Sequence, residues 1–289
     1  MSDVRQLLAS VPPEPGAPKP DPILLVDGIR RAFGGLLAVD IEHLEIQRDA
    51  ITGLIGPNGA GKTSFFNLVT GFDRADRGSW VFEGQDLAGT APHDVARRGM
   101  VRTFQLTRVL SRLSVLDNMK LGATGQVGER IWSAPFRALW RSQEAAIEDR
   151  ADELLRRFQL DHMRGEFAAT LSGGQRKLLE MARSLMVEPR LVMLDEPMAG
   201  VNRVLNRRLL DHVLELPSRG MTVVFVEHDM DVVMTISDWV VCLAAGRVIA
   251  EGPPETIASN EDVIEAYLGA RHDEPDRPPP IRKRDETGE

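Results

Sequence analysis

The chain has 289 residues, of which 43% are hydrophobic and 27% are charged, the usual balance of a globular protein with a substantial core. Acidic residues outnumber basic ones by 43 to 35, and the formal charge of -8 argues against nucleic acid as the main partner. Cys242 is the only cysteine, which excludes an intrachain disulfide. No apolar run reaches the roughly 18 residues that a membrane span needs, and residues 1–20 do not have the pattern of a secretory signal. We therefore expect a cytoplasmic protein that reaches any membrane through partners.

The two ends of the chain differ in composition from its body. Six prolines between residues 12 and 22 predict a disordered lead-in over residues 1–21. Residues 271–289 are rich in proline and mixed charge, and they cannot bury enough apolar surface to fold. The predicted folded body is therefore residues 22–270.

The predicted elements of this body are β-rich at first and alternate between helix and strand later. The β-rich runs are residues 23–26, 37–39, 51–55 and 80–82. Residues 62–69 form a predicted helix closed by Gly71, and a helical stretch with one apolar stripe follows over about 114–158. The last third is predicted as helix 174–187, strand 191–194, helix 204–216, strand 222–226 and strand 240–243. Such alternation predicts a parallel sheet covered by helices.

Residues 56–63 match the phosphate-binding pattern G-x-x-x-x-G-K-[ST] in full. Their glycines let the backbone approach phosphate oxygens, and N–H groups at a helix N-terminus attract anions. Lys62 can reach the β- and γ-phosphates, and the Thr63 hydroxyl can bind Mg²⁺. The alternative is a glycine-rich turn with an incidental lysine, but a strand before it and a helix after it are the context of a nucleotide site. The predicted nucleotide-binding residues are Gly56, Asn58, Gly59, Ala60, Gly61, Lys62, Thr63 and Ser64.

Residues 191–194 are apolar and are followed by two acids, Asp195 and Glu196. A buried strand of a parallel sheet presents its carboxyl end at the ligand crevice. There Asp195 would hold Mg²⁺, and Glu196 would orient or deprotonate the attacking water. An apolar strand that ends in two acids is common by itself, so this interpretation depends on the phosphate-binding pattern.

Residues 171–175, Leu-Ser-Gly-Gly-Gln, open the helix that precedes this strand. Ser172 and Gln175 have the spacing of a helix capping box, which is a purely structural explanation. A cap does not require Gly173 and Gly174, which each cost about 1 kcal/mol relative to alanine in a helix. Bare backbone at a helix N-terminus suits a second phosphate-binding surface.

With these residues in place, the chain resembles the ATP-binding cassette (ABC) family, whose signature motif matches residues 171–175. The resemblance implies an α/β fold: a P-loop NTPase (RecA-like) core with an antiparallel β-subdomain and an inserted α-helical subdomain, here about residues 106–176. It also implies that two cassettes face each other head to tail. The signature residues Ser172, Gly173, Gly174 and Gln175 of one cassette then close over ATP held by the other.

Further family residues can be carried over singly. Gln105 matches the glutamine that senses Mg²⁺ and contacts the transmembrane partner, and His228 matches the switch histidine at the γ-phosphate. Phe33 lies where an aromatic ring stacks on adenine, although a core role is its alternative. A histidine at a strand end is commonly structural as well. Asn202 replaces the aspartate that is commonest at its position.

Within the family, the chain is similar to the ATPases of hydrophobic (branched-chain) amino-acid importers. The matching stretches are residues 33–35, 102–105, 199–202, 227–229 and 263–269. The long segment 122–142 also matches, and its large apolar residues form either a core of the helical subdomain or a docking surface: Ile131, Trp132, Phe136, Leu139 and Trp140. Urea or short-amide importers and a lipopolysaccharide-exporting cassette are similar too, so the transported solute stays open.

The resemblance implies an ATP-hydrolysing subunit of a membrane importer, with ATP and Mg²⁺ as cofactors and residues 22–270 as the ATPase domain. The implied partners are a second cassette, two transmembrane permease subunits and, indirectly, a solute-binding protein. A heterodimer is expected, with a homodimer as the alternative, peripheral on the inner face of the cell membrane. Two rivals fit less well. Cassettes acting on ribosomes or DNA usually carry two cassettes or a long coiled coil, and a P-loop kinase or GTPase would leave residues 171–175 unexplained.

Overall fold

The computed structural model describes residues 2–103, 109–124 and 137–272, and these residues form two sheets with helices between and around them. The strands are β1 (Pro22–Phe33), β2 (Leu36–Gln47), β3 (Ile51–Ile55), β4 (Arg77–Phe82), β5 (Gln85–Asp86), β6 (Met100–Arg102), β7 (Leu191–Asp195), β8 (Thr222–Val226), β9 (Trp239–Ala244) and β10 (Arg247–Gly252). The helices are α1 (Ser2–Leu8), α2 (Lys62–Val69), α3 (Pro92–Arg97), α4 (Val115–Lys120), α5 (Arg137–Arg157), α6 (Gly173–Ser184), α7 (Arg203–Glu215), α8 (Met230–Ile236), α9 (Pro254–Ala258) and α10 (Glu261–His272).

The six-stranded sheet has the order β10-β9-β3-β8-β7-β6. Strands β9, β3, β8, β7 and β6 pair in parallel, and β10 adds to the edge in the antiparallel sense. Every residue of β3, β7 and β8 is buried, as expected for apolar strands covered on both faces. Because β3, β8 and β7 are neighbours, the segments that leave their carboxyl ends emerge side by side. This confirms the predicted parallel sheet.

The four-stranded sheet, in the order β2-β1-β4-β5, is antiparallel. Gly34 and Gly35 make the turn between β1 and β2 with φ of 53° and 93°, which glycine adopts at low cost. One apolar cluster joins this sheet to the parallel sheet through α2, whose Phe65 and Phe66 are buried. The P-loop NTPase architecture with an antiparallel β-subdomain is therefore confirmed.

A second apolar cluster lies on the other face of the parallel sheet and includes α4, α5 and α6. The apolar stripe predicted on α5 is buried at Ala151, Leu154, Leu155 and Phe158. The predicted stretch 114–158 is not one helix, because α4 ends at Lys120 and α5 begins at Arg137. None of the helices in the described ranges combines the length and apolar character required to cross a membrane.

The predicted disorder of residues 1–21 is wrong for the described residues of this segment. α1 packs onto the body with Leu8 1% exposed, and Val11 and Ala17 are buried further along. The backbone N–H of Ala17 donates to Glu251 at 2.9 Å, and the Lys19 ammonium lies 3.3 Å from the same carboxylate. The composition of this segment did not indicate an ordered structure, because the acceptor Glu251 lies on β10, more than two hundred residues away.

The predicted C-terminal tail begins inside α10, which continues to His272. Residues 273–289 lie outside the described residues. The sequence also did not predict the helices α3, α8, α9 and α10 or the strands β5, β6 and β10.

A candidate nucleotide-binding and hydrolysis site

Residues 56–61 connect β3 to α2 as a tight loop with three glycines at positive φ: 148° at Gly56, 77° at Gly59 and 102° at Gly61. A Cβ at Gly56 would lie 2.1 Å from the Leu243 carbonyl oxygen, and one at Gly61 would lie 2.2 Å from that of Ala38. Both positions thus require glycine for backbone conformation and for space. A Cβ at Gly59 would meet nothing within 4 Å, so this part of the loop is open toward a ligand.

The N-terminus of α2 has no side-chain cap, which leaves its first N–H groups available to an anion. Lys62 is 7% exposed, and its ammonium donates to the carbonyl oxygens of Gly56 at 2.6 Å and Pro57 at 3.0 Å. Burial lowers the pKa of Lys62, and the carboxylates of Glu196 and Asp195 oppose that shift. The lysine of the loop therefore lies in one site with Asp195, the last residue of β7, and Glu196, which follows it.

Asp195 is 3% exposed and accepts a hydrogen bond from the Arg102 guanidinium at 2.6 Å. Arg102, at the end of β6, also donates to Asn67 at 2.6 Å, and its guanidinium lies 5.4 Å from the Phe66 ring centroid. The exposed Thr63 hydroxyl and the Asp195 carboxylate are oxygen donors, the kind that Mg²⁺ prefers. The donor set fits this ion. The sequence did not reveal that Arg102 holds Asp195, since the two residues are 93 positions apart.

Glu196 lies 2.8 Å from His228, measured from carboxylate oxygen to Nε2. Its φ is 49°, an unusual value for a residue with a side chain, and its N–H is fixed by the Val226 carbonyl oxygen at 3.0 Å. Strained backbone of this kind is concentrated at functional sites. The structure thus brings together the predicted general base and the predicted switch histidine from the ends of β7 and β8.

Two charged residues that the sequence did not single out hold the segment 196–199 in place. Glu227 is 6% exposed and accepts the N–H of Met198 at 2.8 Å. Burial raises the pKa of Glu227. From α6, the Lys177 ammonium donates to the carbonyl oxygens of Glu196 and Pro197 at 3.3 Å each, and also to that of Ala199. The one signal in the sequence was that Glu227 directly precedes His228 at a buried strand end.

The structure contains the capping box at the start of α6: Gln175 N–H donates to the Ser172 hydroxyl at 3.3 Å, and Ser172 N–H donates to the Gln175 side chain at 2.9 Å. The two glycines differ. A Cβ at Gly174 would lie 1.9 Å from a methyl group of Leu205, so close packing explains this residue. A Cβ at Gly173 would meet nothing within 4 Å, and this residue exposes bare backbone that capping does not require.

The remaining predicted residues are peripheral or lie outside the described part of the chain. Phe33 is 47% exposed with the Arg31 guanidinium 4.6 Å from its ring centroid, which contradicts the core alternative. Asn202 caps α7 by accepting the N–H of Leu205 at 3.0 Å. Gln105 lies outside the described residues, as do the side chains of the five apolar residues in segment 122–142.

Comparison with known proteins agrees with this geometry. A family model described as ABC transporter matches residues 40–199, and one described as branched-chain amino acid ATP-binding cassette transporter matches residues 247–273. A probable branched-chain amino acid transport ATP-binding protein, LivG, from Archaeoglobus fulgidus is 42% identical over 87% of this chain and 97% of its own length. The high-affinity LivG protein of Escherichia coli K12 is 39% identical over 86% and 98%.

Solved structures give the same result. A nucleotide-free ATP-binding cassette from an ABC transporter matches with a TM-score of 0.74 and 34% identity, covering 85% of this chain and 98% of that one. An ADP-bound cassette matches with a TM-score of 0.74 and 35% identity, covering 86% and 99%. This chain therefore belongs to the ABC transporter family and is an ATP-hydrolysing ATP-binding cassette subunit.

Proposed function

We propose that the chain is the ATPase subunit of an importer for branched-chain amino acids, with its ATP site at the carboxyl ends of β3, β7 and β8. The observation that carries the site assignment is the convergence of residues 56–63, the acids Asp195 and Glu196, and His228 on neighbouring strand ends. Loops at such strand ends are where parallel α/β sheets bind ligands.

ATP binding requires Lys62 to exchange its partners. In this structure its ammonium is bonded to the carbonyl oxygens of Gly56 and Pro57, and the β- and γ-phosphates offer charged acceptors in their place. The uncapped N–H groups at the start of α2 provide the rest of the phosphate cradle. The exposed ring of Phe33 provides a surface on which adenine can stack.

Thr63, Asp195 and Gln105 are the residues that would hold Mg²⁺. The bound ion would neutralise negative charge on the β- and γ-phosphates.

In hydrolysis, Glu196 accepts a proton from the attacking water while the water oxygen forms a bond to the γ-phosphorus and the bond to the ADP oxygen breaks. His228, 2.8 Å from Glu196, orients this carboxylate and can donate to a γ-phosphate oxygen. Lys177 and Glu227 fix the backbone that carries Glu196, so its side chain needs little reorganisation.

Glu196→Gln tests this assignment, because an amide cannot accept the proton. We expect ATP turnover to fall by at least about 100-fold while ATP still binds and traps a dimer. Glu188→Gln is the control, since that side chain is 76% exposed. Normal turnover by Glu196→Gln would refute the role of Glu196.

The signature residues 172–175 act on the nucleotide of a second cassette. Gly173 supports this proposal because it presents bare backbone at a helix N-terminus where neither capping nor packing needs glycine. One chain then supplies one half of each of two sites, and hydrolysis requires a dimer, with a heterodimer as our expectation.

The proposed partners are two permease subunits and a solute-binding protein, with the cassettes on the inner face of the cell membrane. The names of the relatives and the match at residues 247–273 support branched-chain amino acids as the solute. The test is reconstitution of the assembled transporter in vesicles with its binding protein. Leucine should stimulate ATP hydrolysis and accumulate inside. Stimulation by urea or a short amide and not by leucine would overturn the assignment.

A further inference from the structure

Tyr267 is the only tyrosine of the chain, and it lies on the C-terminal helix α10. Its hydroxyl oxygen accepts a hydrogen bond from the backbone N–H of Gly56 at 2.8 Å, across 211 positions in sequence. Gly56 is the first residue of the phosphate-binding loop. The C-terminal helix therefore contacts the proposed nucleotide site directly.

The donor in this bond is the backbone N–H of Gly56, which the regular pairing of β3 in the parallel sheet does not use. The pairing of β3 with its neighbours ends at Leu54 on one side and Ile55 on the other, so Gly56 is the first residue beyond the ladder. The position of Gly56 is tightly constrained, because a Cβ there would lie 2.1 Å from the Leu243 carbonyl oxygen. A buried backbone N–H without an acceptor destabilises the conformation that buries it.

The peptide of Gly56 also connects Tyr267 to the lysine of the site. The N–H of Gly56 points to the Tyr267 hydroxyl, and the carbonyl oxygen of Gly56 accepts the Lys62 ammonium at 2.6 Å. Any shift of Gly56 therefore moves the anchor of Lys62. Burial raises the pKa of Tyr267 to about 12, so the phenol stays neutral at physiological pH.

Helix α10 is itself anchored on the body. Val263 is 4% exposed and belongs to the apolar cluster that includes α5 and α6, and Tyr267 packs against the same cluster. The exposed Ile264 and Leu268 lie on another face. The segment matched by the branched-chain family model, residues 247–273, thus supplies the acceptor for the first N–H of the loop.

We propose that Tyr267 is a positioning residue for nucleotide binding: its hydroxyl holds Gly56, and through it Lys62, so that the docking of α10 sets the affinity of the loop for nucleotide. This rests on the proposed assignment of residues 56–64 as the nucleotide site.

The test compares Tyr267→Phe with Tyr267→Ala in the full chain, with Mg·ADP as the probe and its Kd measured by calorimetry. We expect Tyr267→Phe to raise the Kd by about 2- to 13-fold, the effect of losing one hydrogen bond. This increase should account for most of the increase in Kd that Tyr267→Ala causes. The control is Ile264→Ala, an exposed position on the same helix, whose Kd should be unchanged.

Two outcomes separate this inference from the site assignment. If Tyr267→Phe binds like the wild type while Tyr267→Ala binds more weakly, only the ring matters and the inference is overturned. Lys62→Ala should lose nucleotide binding. Unchanged binding by Lys62→Ala would overturn the site assignment itself, whatever the tyrosine variants do.

A spectroscopic readout distinguishes positioning from stability alone. Because Tyr267 is the only tyrosine, incorporation of 3-fluorotyrosine gives a single ¹⁹F resonance. Saturating Mg·ADP should shift this resonance, because Lys62 leaves the Gly56 carbonyl oxygen and the hydrogen bond to the phenol changes. A resonance that stays unmoved by saturating nucleotide would contradict the coupling.

Discussion

Arg102→Met should destabilise the protein strongly, because it removes the guanidinium that donates to the buried Asp195 carboxylate. The side chains of Arg102 and Asp195 are 5% and 4% exposed and lie 2.6 Å apart. Removing one partner of such a buried pair costs about 3–5 kcal/mol, since the remaining charge is left without compensation. Methionine keeps apolar volume next to Phe66, so the loss should come from the charge and its hydrogen bonds.

The assay is urea unfolding monitored by tryptophan fluorescence, and Arg97→Met is the matched control. Arg97 forms an exposed pair with Asp94, with side chains 59% and 46% exposed, and such pairs contribute about 0–1 kcal/mol. We expect Arg102→Met to lower the free energy of unfolding by about 3 kcal/mol or more. Millimolar Mg²⁺ should restore part of this loss in Arg102→Met, because the ion supplies positive charge at Asp195, and should change the wild type little.

Two results would refute this reasoning. An unfolding free energy of Arg102→Met within about 1 kcal/mol of the wild type would mean that the Arg102–Asp195 contact contributes no more than a surface pair. A full loss of stability that Mg²⁺ leaves unchanged would mean that Asp195 does not hold the ion.

Three further predictions concern other parts of the site and the lead-in. Burial raises the pKa of Glu227 in the folded protein above its unfolded value. The contribution of protonated Glu227 to the free energy of unfolding is therefore fully present below the unfolded pKa and is lost as pH rises through the folded pKa. In urea unfolding across pH, the wild type should lose stability relative to Glu227→Gln as pH increases. Gly174→Ala should lower the free energy of unfolding by about 1–3 kcal/mol, because the added methyl group overlaps Leu205, and a second substitution, Leu205→Ala, should relieve this overlap. Gly173→Ala should leave the free energy of unfolding unchanged and lower ATP turnover of the dimer. Lys19→Met should destabilise by about 3 kcal/mol, because Lys19 and Glu251 are 1% and 0% exposed; no change in unfolding would favour the disordered lead-in.

The elements that the sequence predicted best are those whose signal is local. The bounds of β3, α2 and β8 match the predicted ranges, because each is a compact apolar run or directly adjoins the phosphate-binding pattern. The same holds for the capping box of α6, whose donor and acceptor are three residues apart. The strand-end pattern predicted Glu196, the family resemblance added His228, and the structure brings the two side chains to 2.8 Å.

What the sequence did not predict depends on contacts between distant positions. Arg102 with Asp195, Glu227 with Met198 and Tyr267 with Gly56 are pairs whose members have no unusual pattern around them. The lead-in shows the same limit in another form. Its proline content indicates an extended chain, but an extended chain still has backbone N–H groups. Those of Ala17 and Lys19 donate to the buried carboxylates of Glu251 on β10 and Glu45 on β2.

Three charged groups of the proposed nucleotide site are engaged with protein partners. Lys62 is bonded to carbonyl oxygens of its own loop, Asp195 to Arg102, and Glu196 to His228. Lys62 and Asp195 are buried, and because buried charges are costly without partners, their contacts stabilise the folded site. In the proposed ATP complex, phosphate oxygens replace some of these partners, and the free energy of binding includes the difference between the two sets of contacts. The contacts of Lys177 with the backbone at residues 196–199 involve no group that binds phosphate in this proposal, so we expect them to stay in place and to limit how far Glu196 moves.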